Sequence, residues 1–486
     1  MIGIPAPHLE IDVLVLGMAV LLFETFAPKI DKKVFAYVGI VGLTLVLIAT
    51  FFLAPNPSTQ EATGLWNFYT ADTLSIFFKR FTLVTTIIVL VMMIDYTPVV
   101  RSAKEGAANL GEFFSLPLLT CAGLMYLVSA VDFVFIFVSL EVVTISFFVL
   151  VSFPRRNPSA LEAGVKYLIL GALSSAFLVY GITWIFGVTG ETNLQKIAVA
   201  FSGGKIDLYA AAFGAVLVLV GLGFKIAAVP FQIWVPDVYQ GAPTPVTAFL
   251  SVGSKAAGFV VLLRVLQPFL MLPNMQRFVV LIALLTVIYG NLAALPQNNL
   301  KRLLGYSSIA HAGYLLIGVA CFDGRAVIFY LSAYLLMTLL SFAVMVLVAQ
   351  RTGEEISNFD GLAKRAPFLA FAMLIAMASL AGLPFTAGFF GKFFIFWAAI
   401  EKAQTALVVA GIITVACGFY YYLKVVRAMY WQPATNHDAI GLSALSRGVM
   451  ILLIIAIVLF GVYPQPILNA IKPQPAKIAL RSTTSR

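Results

Sequence analysis

Apolar runs of 18 or more residues recur from one end of this 486-residue chain to the other, and they constrain its fold more than any other feature. Each run is long enough to cross about 30 Å of hydrocarbon as a helix. The runs are continuous rather than alternating, which favours helices over the strands of a barrel. Hydrophobic residues make up 61% of the chain and charged residues 11%, a balance that no soluble core needs. The sequence therefore predicts an all-α polytopic membrane protein.

Fourteen spans are predicted. No cleavable signal is expected, because residues 1–12 carry no Lys or Arg. The approximate bounds of the spans are 11–28, 34–53, 74–94, 113–130, 132–153, 164–187, 209–229, 245–266, 277–295, 303–321, 326–349, 366–400, 405–431 and 446–464. An even number of spans places both termini on the same side of the membrane.

Basic residues in the loops indicate which side that is. If the N-terminus is outside, fifteen of them lie in inner loops: Lys29, Lys32, Lys33, Arg101, Lys104, Arg155, Arg156, Lys301, Arg302, Arg351, Lys364, Arg365, Lys424, Arg427 and Arg447. Six lie in outer loops, with four more on the C-terminal tail: the six are Lys196, Lys205, Arg264, Arg277, Arg325 and Lys402. Because cytoplasmic loops carry the excess of Lys and Arg, both termini are predicted outside, in a bacterial inner membrane. The net charge of +10 follows from this topology, and no basic stripe suggests nucleic acid.

Two stretches are interrupted by proline, at Pro230 within 209–241 and at Pro384 within 366–400. Each suits two half-helices joined by an unwound segment, which is tolerated at membrane depth where it is buried in protein or lines a wet cavity. The two broken spans lie five spans apart in the chain. Because five is odd, they cross the membrane in opposite directions, so two inverted five-helix repeats are predicted. The predicted regions are 1–112 for helices 1–3, 113–266 for the first repeat, 277–431 for the second, and 446–486 for helix 14 and the tail.

Five titratable residues interrupt the apolar runs: Glu141, Lys225, Lys255, His311 and Lys392. A charged side chain at bilayer depth costs on the order of 3 kcal/mol, so each is a functional hypothesis by default. A nearby carboxylate raises the pKa of a lysine and keeps it protonated, whereas burial lowers that pKa. A buried Glu–Lys pair can therefore be balanced so that the lysine releases its proton when the glutamate moves away or is neutralised. Histidine, with an ordinary pKa of about 6.5, suits a relay between such lysines. The series predicts a path for protons.

These residues also have structural interpretations. Lys225 could snorkel to the inner surface if its helix ended at Pro230. Lys255 and Lys392 could be structural ion-pair partners only, Glu141 a plain counter-ion, and His311 a packing residue. A solvated role near span ends is expected for Asp72, Lys79, Arg80 and Asp132. Glu162 and Lys166 are expected to form an i,i+4 surface pair at the inner end of the sixth span. Three single cysteines, with no neighbouring His, are interpreted as apolar fillers, and no metal site is predicted: Cys121, Cys321 and Cys417.

Three sequence blocks resemble the antiporter-like membrane subunits of respiratory complex I, the proton-translocating NADH-quinone oxidoreductase. They are residues 223–246 (GFKIAAVPFQIWVPDVYQGAPTPV), 301–314 (KRLLGYSSIAHAGY) and 379–393 (SLAGLPFTAGFFGKF). The resemblance extends over nearly the whole chain. The family has three antiporter-like subunits, and two features favour one of them over the other two. The twelfth span carries a lysine, Lys392, and the chain stops soon after the fourteenth span.

The resemblance implies a role for each of the five residues. It implies Glu141 and Lys225 as a coupled pair, Lys255 and His311 as the central relay, and Lys392 as the terminal proton donor. It also implies that NADH, FMN, iron–sulfur clusters and quinone are bound by other subunits, since this chain shows no motif for any of them. The expected partners are the other membrane subunits of the complex. A subunit of a multisubunit cation/proton antiporter is the alternative, because such subunits share this core.

The predicted topology can be tested by cysteine labelling. We expect Lys33→Cys and Arg156→Cys to react with a water-soluble maleimide from the inner face of the membrane, because both belong to the basic-rich loops. Labelling should be compared in right-side-out and inverted vesicles. Modification from the outer face alone would overturn the orientation.

Overall fold

Helices make up almost all of the regular structure of this chain. The computed structural model describes residues 7–26, 30–53, 67–102, 110–203, 206–434 and 440–470. Lys29, Lys104, Lys205 and the tail from residue 471 lie outside them. Within these ranges the β-structure consists of three isolated bridges between single residues.

Twenty α-helices follow one another in the described residues. The first region contains α1 (His8–Phe26), α2 (Lys33–Ala49) and α3 (Thr73–Ser102). The second contains α4 (Leu110–Ser129), α5 (Phe133–Val151), α6 (Pro158–Thr189), α7 (Leu194–Ser202), α8 (Leu208–Ile226), α9 (Trp234–Gly241), α10 (Thr244–Phe249) and α11 (Lys255–Phe269). The third contains α12 (Met275–Ala294), α13 (Leu300–Ala320), α14 (Gly324–Thr352), α15 (Leu362–Arg365), α16 (Pro367–Ala381), α17 (Ala387–Glu401) and α18 (Thr405–Trp431). The last contains α19 (Ala444–Val462) and α20 (Gln465–Ala470).

Twelve helical segments of the described chain are long and apolar enough to cross a membrane. The predicted class, an all-helical polytopic membrane protein, is confirmed. A total of fourteen spans is reached only if two further elements cross the membrane. One is α1, which carries Glu10, Asp12 and Glu24. The other is the pair α16 and α17, of 15 residues each, counted together as one broken span. That count, and the inverted relation between the two five-helix regions, stay predictions.

Polar caps fix where several of these helices begin. Asp132 accepts a hydrogen bond from the amide of Val134 at the start of α5. Asn157 does the same at the start of α6, where Pro158 follows it, and Asn299 caps α13. Each side chain satisfies an amide that has no partner within the helix. A capping role explains why Asp132 lies at a span end.

Two helices are broken at the prolines that the sequence singled out. Between α8 and α9, residues 227–233 are unwound, and Ala227 has a left-handed backbone with φ of 64°. Between α16 and α17, residues 382–386 are unwound, beginning with Gly382 at φ of 90°. At each break a helix-end carbonyl accepts a hydrogen bond from a buried side chain, Phe224 from Trp234 and Ala381 from Lys392.

A third irregularity was not predicted. A π-helical turn over Leu250–Ser254 joins α10 to α11 and ends directly before Lys255. Such turns often occur at functional sites. The predicted span 245–266 therefore contains two α-helical pieces rather than one.

Lys79 is not solvated, contrary to the sequence-based expectation. It is 1% exposed, and its ammonium lies 2.8 Å from a carboxylate oxygen of Glu10, itself 1% exposed. The Tyr69 hydroxyl accepts a hydrogen bond from Lys79 at 2.6 Å and donates one to Glu10 at 2.8 Å. Residues near a span end along the sequence are buried here because α1 and the segment before α3 cover them. The triad ties α1 to α3.

Asp72 is also buried, at 6% exposure, and the same correction applies. Arg264 donates two hydrogen bonds to its carboxylate, at 2.8 and 2.9 Å. Burial disfavours the charged carboxylate, but the guanidinium outweighs it and lowers the pKa of Asp72 to about 2. The pair joins the start of α3 to the end of α11.

The buried triad of α1 and α3 yields a stability prediction. We expect Lys79→Met to destabilise the protein by about 3–5 kcal/mol, because it leaves the Glu10 carboxylate buried without a counter-charge. The double variant Glu10→Met/Lys79→Met should recover most of this loss, since it removes both charges. Thermal unfolding of the purified protein and its level in membranes would measure both effects. A double variant as unstable as the single one would contradict this account.

Candidate functional site

Four of the five predicted residues are buried inside the helical assembly. The fractional exposures are 5% for Lys225, 2% for Lys255, 1% for His311 and 6% for Lys392, whereas Glu141 is half-buried. They lie on five different helices: Glu141 on α5, Lys225 on α8, Lys255 on α11, His311 on α13 and Lys392 on α17. Lys225 does not snorkel to the surface.

Lys225 lies in the last turn of α8, directly before the first break. Its ammonium donates a hydrogen bond of 2.6 Å to the hydroxyl of Thr144 on α5. The ring of Phe224 lies 5.4 Å from the ammonium. A hydroxyl and an aromatic face therefore take the place of a direct ion pair.

Glu141 is near Lys225 but does not touch it. In the described chain no ion pair within 4.0 Å joins the two, although both lie beside Thr144. The carboxylate instead accepts a hydrogen bond of 2.5 Å from Ser175 on α6. The Glu–Lys pair that the resemblance implied is thus not in direct contact: Lys225 binds Thr144, and Glu141 binds Ser175.

Lys255 begins α11 immediately after the π-helical turn. Its ammonium donates to the backbone carbonyl of Ser308 on α13 at 2.5 Å and to the hydroxyl of the same residue. The ring of Tyr334 lies 5.5 Å from the ammonium. Since Ser308 precedes His311 by three residues on one helix, Lys255 is placed one helical turn from the histidine.

His311 is held at both ring nitrogens. Its Nδ1 is 2.7 Å from the hydroxyl of Tyr330, and its Nε2 is 3.0 Å from the hydroxyl of Tyr422. A neutral imidazole has one donor and one acceptor nitrogen, so it can take a proton on one side and release one on the other. The geometry suits a relay better than a packing role alone.

Lys392 is bound to the end of the broken twelfth span. Its ammonium donates to the carbonyls of Leu380 and Ala381, at 2.9 and 2.8 Å. These carbonyls belong to the last turn of α16, where the helix dipole favours a cation. A Cβ on Gly382 would lie 3.0 Å from the Lys392 side chain, so glycine leaves the room that this contact needs. The second break is a binding site for an ammonium group.

The hydroxyl groups that connect these residues were not predicted from the sequence. Tyr330 and Tyr334 are spaced i,i+4 in an apolar helix, a pattern that could have indicated a polar face. The serines and threonines gave no signal, because they are common in apolar spans. The hydroxyl residues of the network are Thr144, Ser175, Tyr239, Ser307, Ser308, Tyr330, Tyr334 and Tyr422.

Several polar residues and cysteines outside the series of five also have defined surroundings. Glu162 and Lys166 form the expected i,i+4 ion pair at 2.7 Å, but Lys166 also binds Asp237 of α9 at 2.7 Å, so the pair is not a surface pair alone. Cys121 and Cys321 are buried. In the described part of the chain, no group of three or more His, Cys, Asp or Glu side chains could hold a metal ion.

The chain is similar to proteins of known class. A family model described as "NADH:quinone oxidoreductase/Mrp antiporter, TM" matches residues 130–418. NADH-quinone oxidoreductase subunit N of Moorella thermoacetica is 37% identical over 95% of this chain and 96% of its own. NAD(P)H-quinone oxidoreductase subunit 2 of Gloeothece citriformis is 36% identical over 93% and 90%.

A solved structure has the same fold. A chain in the structure of respiratory complex I from Thermus thermophilus with bound aureothin is 31% identical to this one. The two align with a TM-score of 0.80 over 95% of this chain and 98% of that one. The similarity therefore includes all five candidate helices rather than one motif.

Proposed function

Because the chain belongs to the NADH:quinone oxidoreductase/Mrp antiporter membrane family, we propose that it is subunit N of a proton-translocating NADH-quinone oxidoreductase. In this proposal the chain carries protons across the membrane and holds no redox centre. NADH, FMN, iron–sulfur clusters and quinone are bound by other subunits of the complex. The neighbouring partners are further antiporter-like membrane subunits, and the location is the bacterial inner membrane.

One observation carries the proposal: the lysines of the site lack carboxylate partners, whereas other buried lysines have them. Lys79, Lys32 and Lys301 lie within 2.8–3.0 Å of Glu10, Glu24 and Glu354, respectively. In the described chain no carboxylate lies within 4.0 Å of Lys225, Lys255 or Lys392, whose ammonium groups meet hydroxyl and carbonyl oxygens instead.

This difference decides which lysines can exchange protons. A buried ammonium paired with a carboxylate is held in its charged form, because losing the proton would leave the carboxylate uncompensated. A buried lysine that binds only neutral oxygens pays the desolvation cost of its charge without such compensation. Its charged and neutral forms are therefore closer in free energy, which is what a proton-carrying site requires.

The order of residues suggests how the sites act together. Glu141 and Lys225 lie at the first break, Lys255 and His311 between the breaks, and Lys392 at the second. Redox chemistry in other subunits would shift the electrostatic balance along this series and change the proton affinity of each lysine in turn. His311 would pass protons between its two tyrosine hydroxyls. Lys392 would release the proton toward the outer side.

A subunit of a multisubunit cation/proton antiporter remains the second candidate, since the matching family model includes both kinds of protein. The proteins that co-purify with this chain distinguish the two. Flavin- and iron–sulfur-containing subunits support the oxidoreductase, whereas small hydrophobic antiporter subunits alone support the alternative.

The first functional prediction concerns Lys225. We expect Lys225→Ala to impair proton-coupled turnover without preventing assembly, because it removes the titrating group and leaves Glu141 able to protonate in place. Proton pumping and quinone reduction would be measured in membranes with matched levels of the complex. Lys196→Ala, at an exposed position, is the control that should keep full activity. Unchanged pumping in an assembled Lys225→Ala complex would refute the assignment.

The second functional prediction concerns Lys392. We expect Lys392→Arg to fail although it keeps the charge, because guanidinium does not deprotonate in proteins. Lys392→Glu should retain more pumping, since a protonated glutamic acid can donate its one O–H to the carbonyl of either Leu380 or Ala381 and can still exchange its proton. The same assays at matched complex levels separate the two variants. Full activity of Lys392→Arg, with a disrupted Lys392→Glu, would make this residue a structural cation.

A further inference from the structure

A fully buried amide lies in the second half of α12, outside the series of five titratable residues. It belongs to Asn291, in a helix that is long and apolar enough to cross a membrane. An amide buried away from water is costly unless other hydrogen bonds replace those that it made with water. The partners of Asn291 therefore indicate its purpose.

Asn291 binds one tyrosine on each of two neighbouring helices. Its Nδ2 donates to the hydroxyl of Tyr314 on α13 at 3.3 Å and to the carbonyl of Val287, one turn back, at 2.8 Å. Its Oδ1 accepts a hydrogen bond of 3.0 Å from the hydroxyl of Tyr421 on α18. Because both N–H groups and the oxygen have partners, the side chain has one fixed orientation.

Two glycines bring α12 and α13 close enough for this contact. A Cβ on Gly290 would collide with the backbone nitrogen of Ala310, and a Cβ on Gly313 would lie 2.5 Å from the backbone of α12. The two helices therefore pack backbone against backbone at these positions. Asn291 directly follows the first glycine and Tyr314 directly follows the second.

The hydroxyl of Tyr314 is held from two sides. Besides accepting from Asn291, it donates to the hydroxyl of Thr414 on α18 at 3.2 Å. Thr414 in turn donates to the carbonyls of Ala410 and Gly411, at 2.8 and 2.9 Å. This line of hydrogen bonds ends at backbone carbonyls, which have no proton to pass on, so it anchors the ring rather than conducting protons.

The anchored ring borders the last two residues of the proposed series. The ammonium of Lys392 lies 5.2 Å from the ring centroid of Tyr314, and the ring centroid of His311 lies 6.0 Å from it. An ammonium over an aromatic face is stabilised in its charged form. Together with the carbonyls at the end of α16, the ring of Tyr314 therefore helps to hold a proton on Lys392.

Tyr421 connects the same amide to the histidine. Its ring centroid lies 4.4 Å from that of Tyr422, the next residue. The hydroxyl of Tyr422 is 3.0 Å from Nε2 of His311. A shift of Tyr421 would therefore move the hydroxyl that contacts the histidine. One amide thus fixes an aromatic ring beside His311 and another beside Lys392.

We propose that Asn291 is a positioning residue for proton transfer from His311 to Lys392. It holds the face of Tyr314 on the Lys392 ammonium and, through the tyrosine pair of α18, a hydroxyl on the histidine. The inference rests on the proton-translocating function proposed above. The amide itself moves no proton, because its N–H groups and its oxygen are engaged in holding the two rings.

The groups around Lys392 determine what its pH dependence reports. The titratable groups that face it are Tyr314 and His311 of α13 and Tyr330 of α14, whose ring packs on the backbone of Gly391. The end of α16 supplies two carbonyls. Within the described ranges, no side chain of α16, α18 or α19 forms a hydrogen bond or an ion pair with this ammonium. Loss of the aromatic face would therefore not be compensated by a neighbouring charge.

The positioning role is tested by removing the anchor. We expect Asn291→Leu to lower pumping per assembled complex on the order of ten-fold on the alkaline side of the pH profile. That limb of the profile should move down by about one pH unit, because Lys392 without its aromatic face needs more acid to stay protonated. Tyr314→Phe loses the same anchor and should behave alike. The double variant should be no worse than the poorer single variant, because both changes act through one ring.

Gly418→Ala is the matched control for altered packing beside the amide. Its added Cβ would lie 3.5 Å from the hydroxyl of Tyr421 and 3.6 Å from Oδ1 of Asn291, which are ordinary contact distances. The change removes no hydrogen bond, so pumping and its pH profile should both stay as they are. If Asn291→Leu lowers the level of the complex, Thr414→Val removes the other anchor of Tyr314 and takes its place in the comparison.

Three results would overturn the inference. They are full pumping with an unchanged pH profile in assembled Asn291→Leu, a loss of pumping without movement of the profile, and additive losses in the double variant. Lys392→Arg separates this inference from the proposed function. Full activity of that variant would overturn the proposed function and the positioning role with it. Its failure beside a fully active Asn291→Leu would overturn the positioning role alone.

Discussion

Every polar group in the low-dielectric interior of the membrane domain must find its partner within the protein. The rest of the structure depends on this constraint. The two broken helices meet it by turning helix-end carbonyls inward. At the second break those carbonyls bind Lys392 directly. At the first break Lys225 lies on the last turn of α8 and finds Thr144 on the neighbouring α5. At the second break the broken helix thus supplies the oxygens itself, whereas at the first break the oxygen comes from a hydroxyl of the intact α5.

Two kinds of buried lysine follow from this constraint. Those near the ends of predicted spans, such as Lys79 and Lys301, have carboxylate partners and join separate segments of the chain to each other. Those of the central series bind oxygens of hydroxyls and backbone. In the function proposed above, a carboxylate partner holds a lysine charged and in place, and the absence of such a partner lets a lysine exchange protons.

Much of this arrangement could be predicted from the sequence, and the remainder could not, for physical reasons. Charges and prolines inside long apolar runs are rare enough to be informative, so the burial of Lys225 and Lys392 and the positions of both breaks could be predicted. The resemblance carried by the three blocks was confirmed. The burial of Lys79 was missed because distance from a span end says nothing about which other helix covers it. Tyr239 and Ser308 were missed because a hydroxyl in an apolar helix is ordinary until its partner is known.

The π-helical turn over Leu250–Ser254 has a consequence for how the chain tolerates insertions and deletions. A π-turn is in effect one additional residue within an α-helix. Deleting one residue from it would restore a regular helix and rotate everything that follows by about 100° relative to α10. Lys255 would then point away from Ser308, although no side chain of the site had been replaced. This segment should therefore keep its length strictly even where its residues vary.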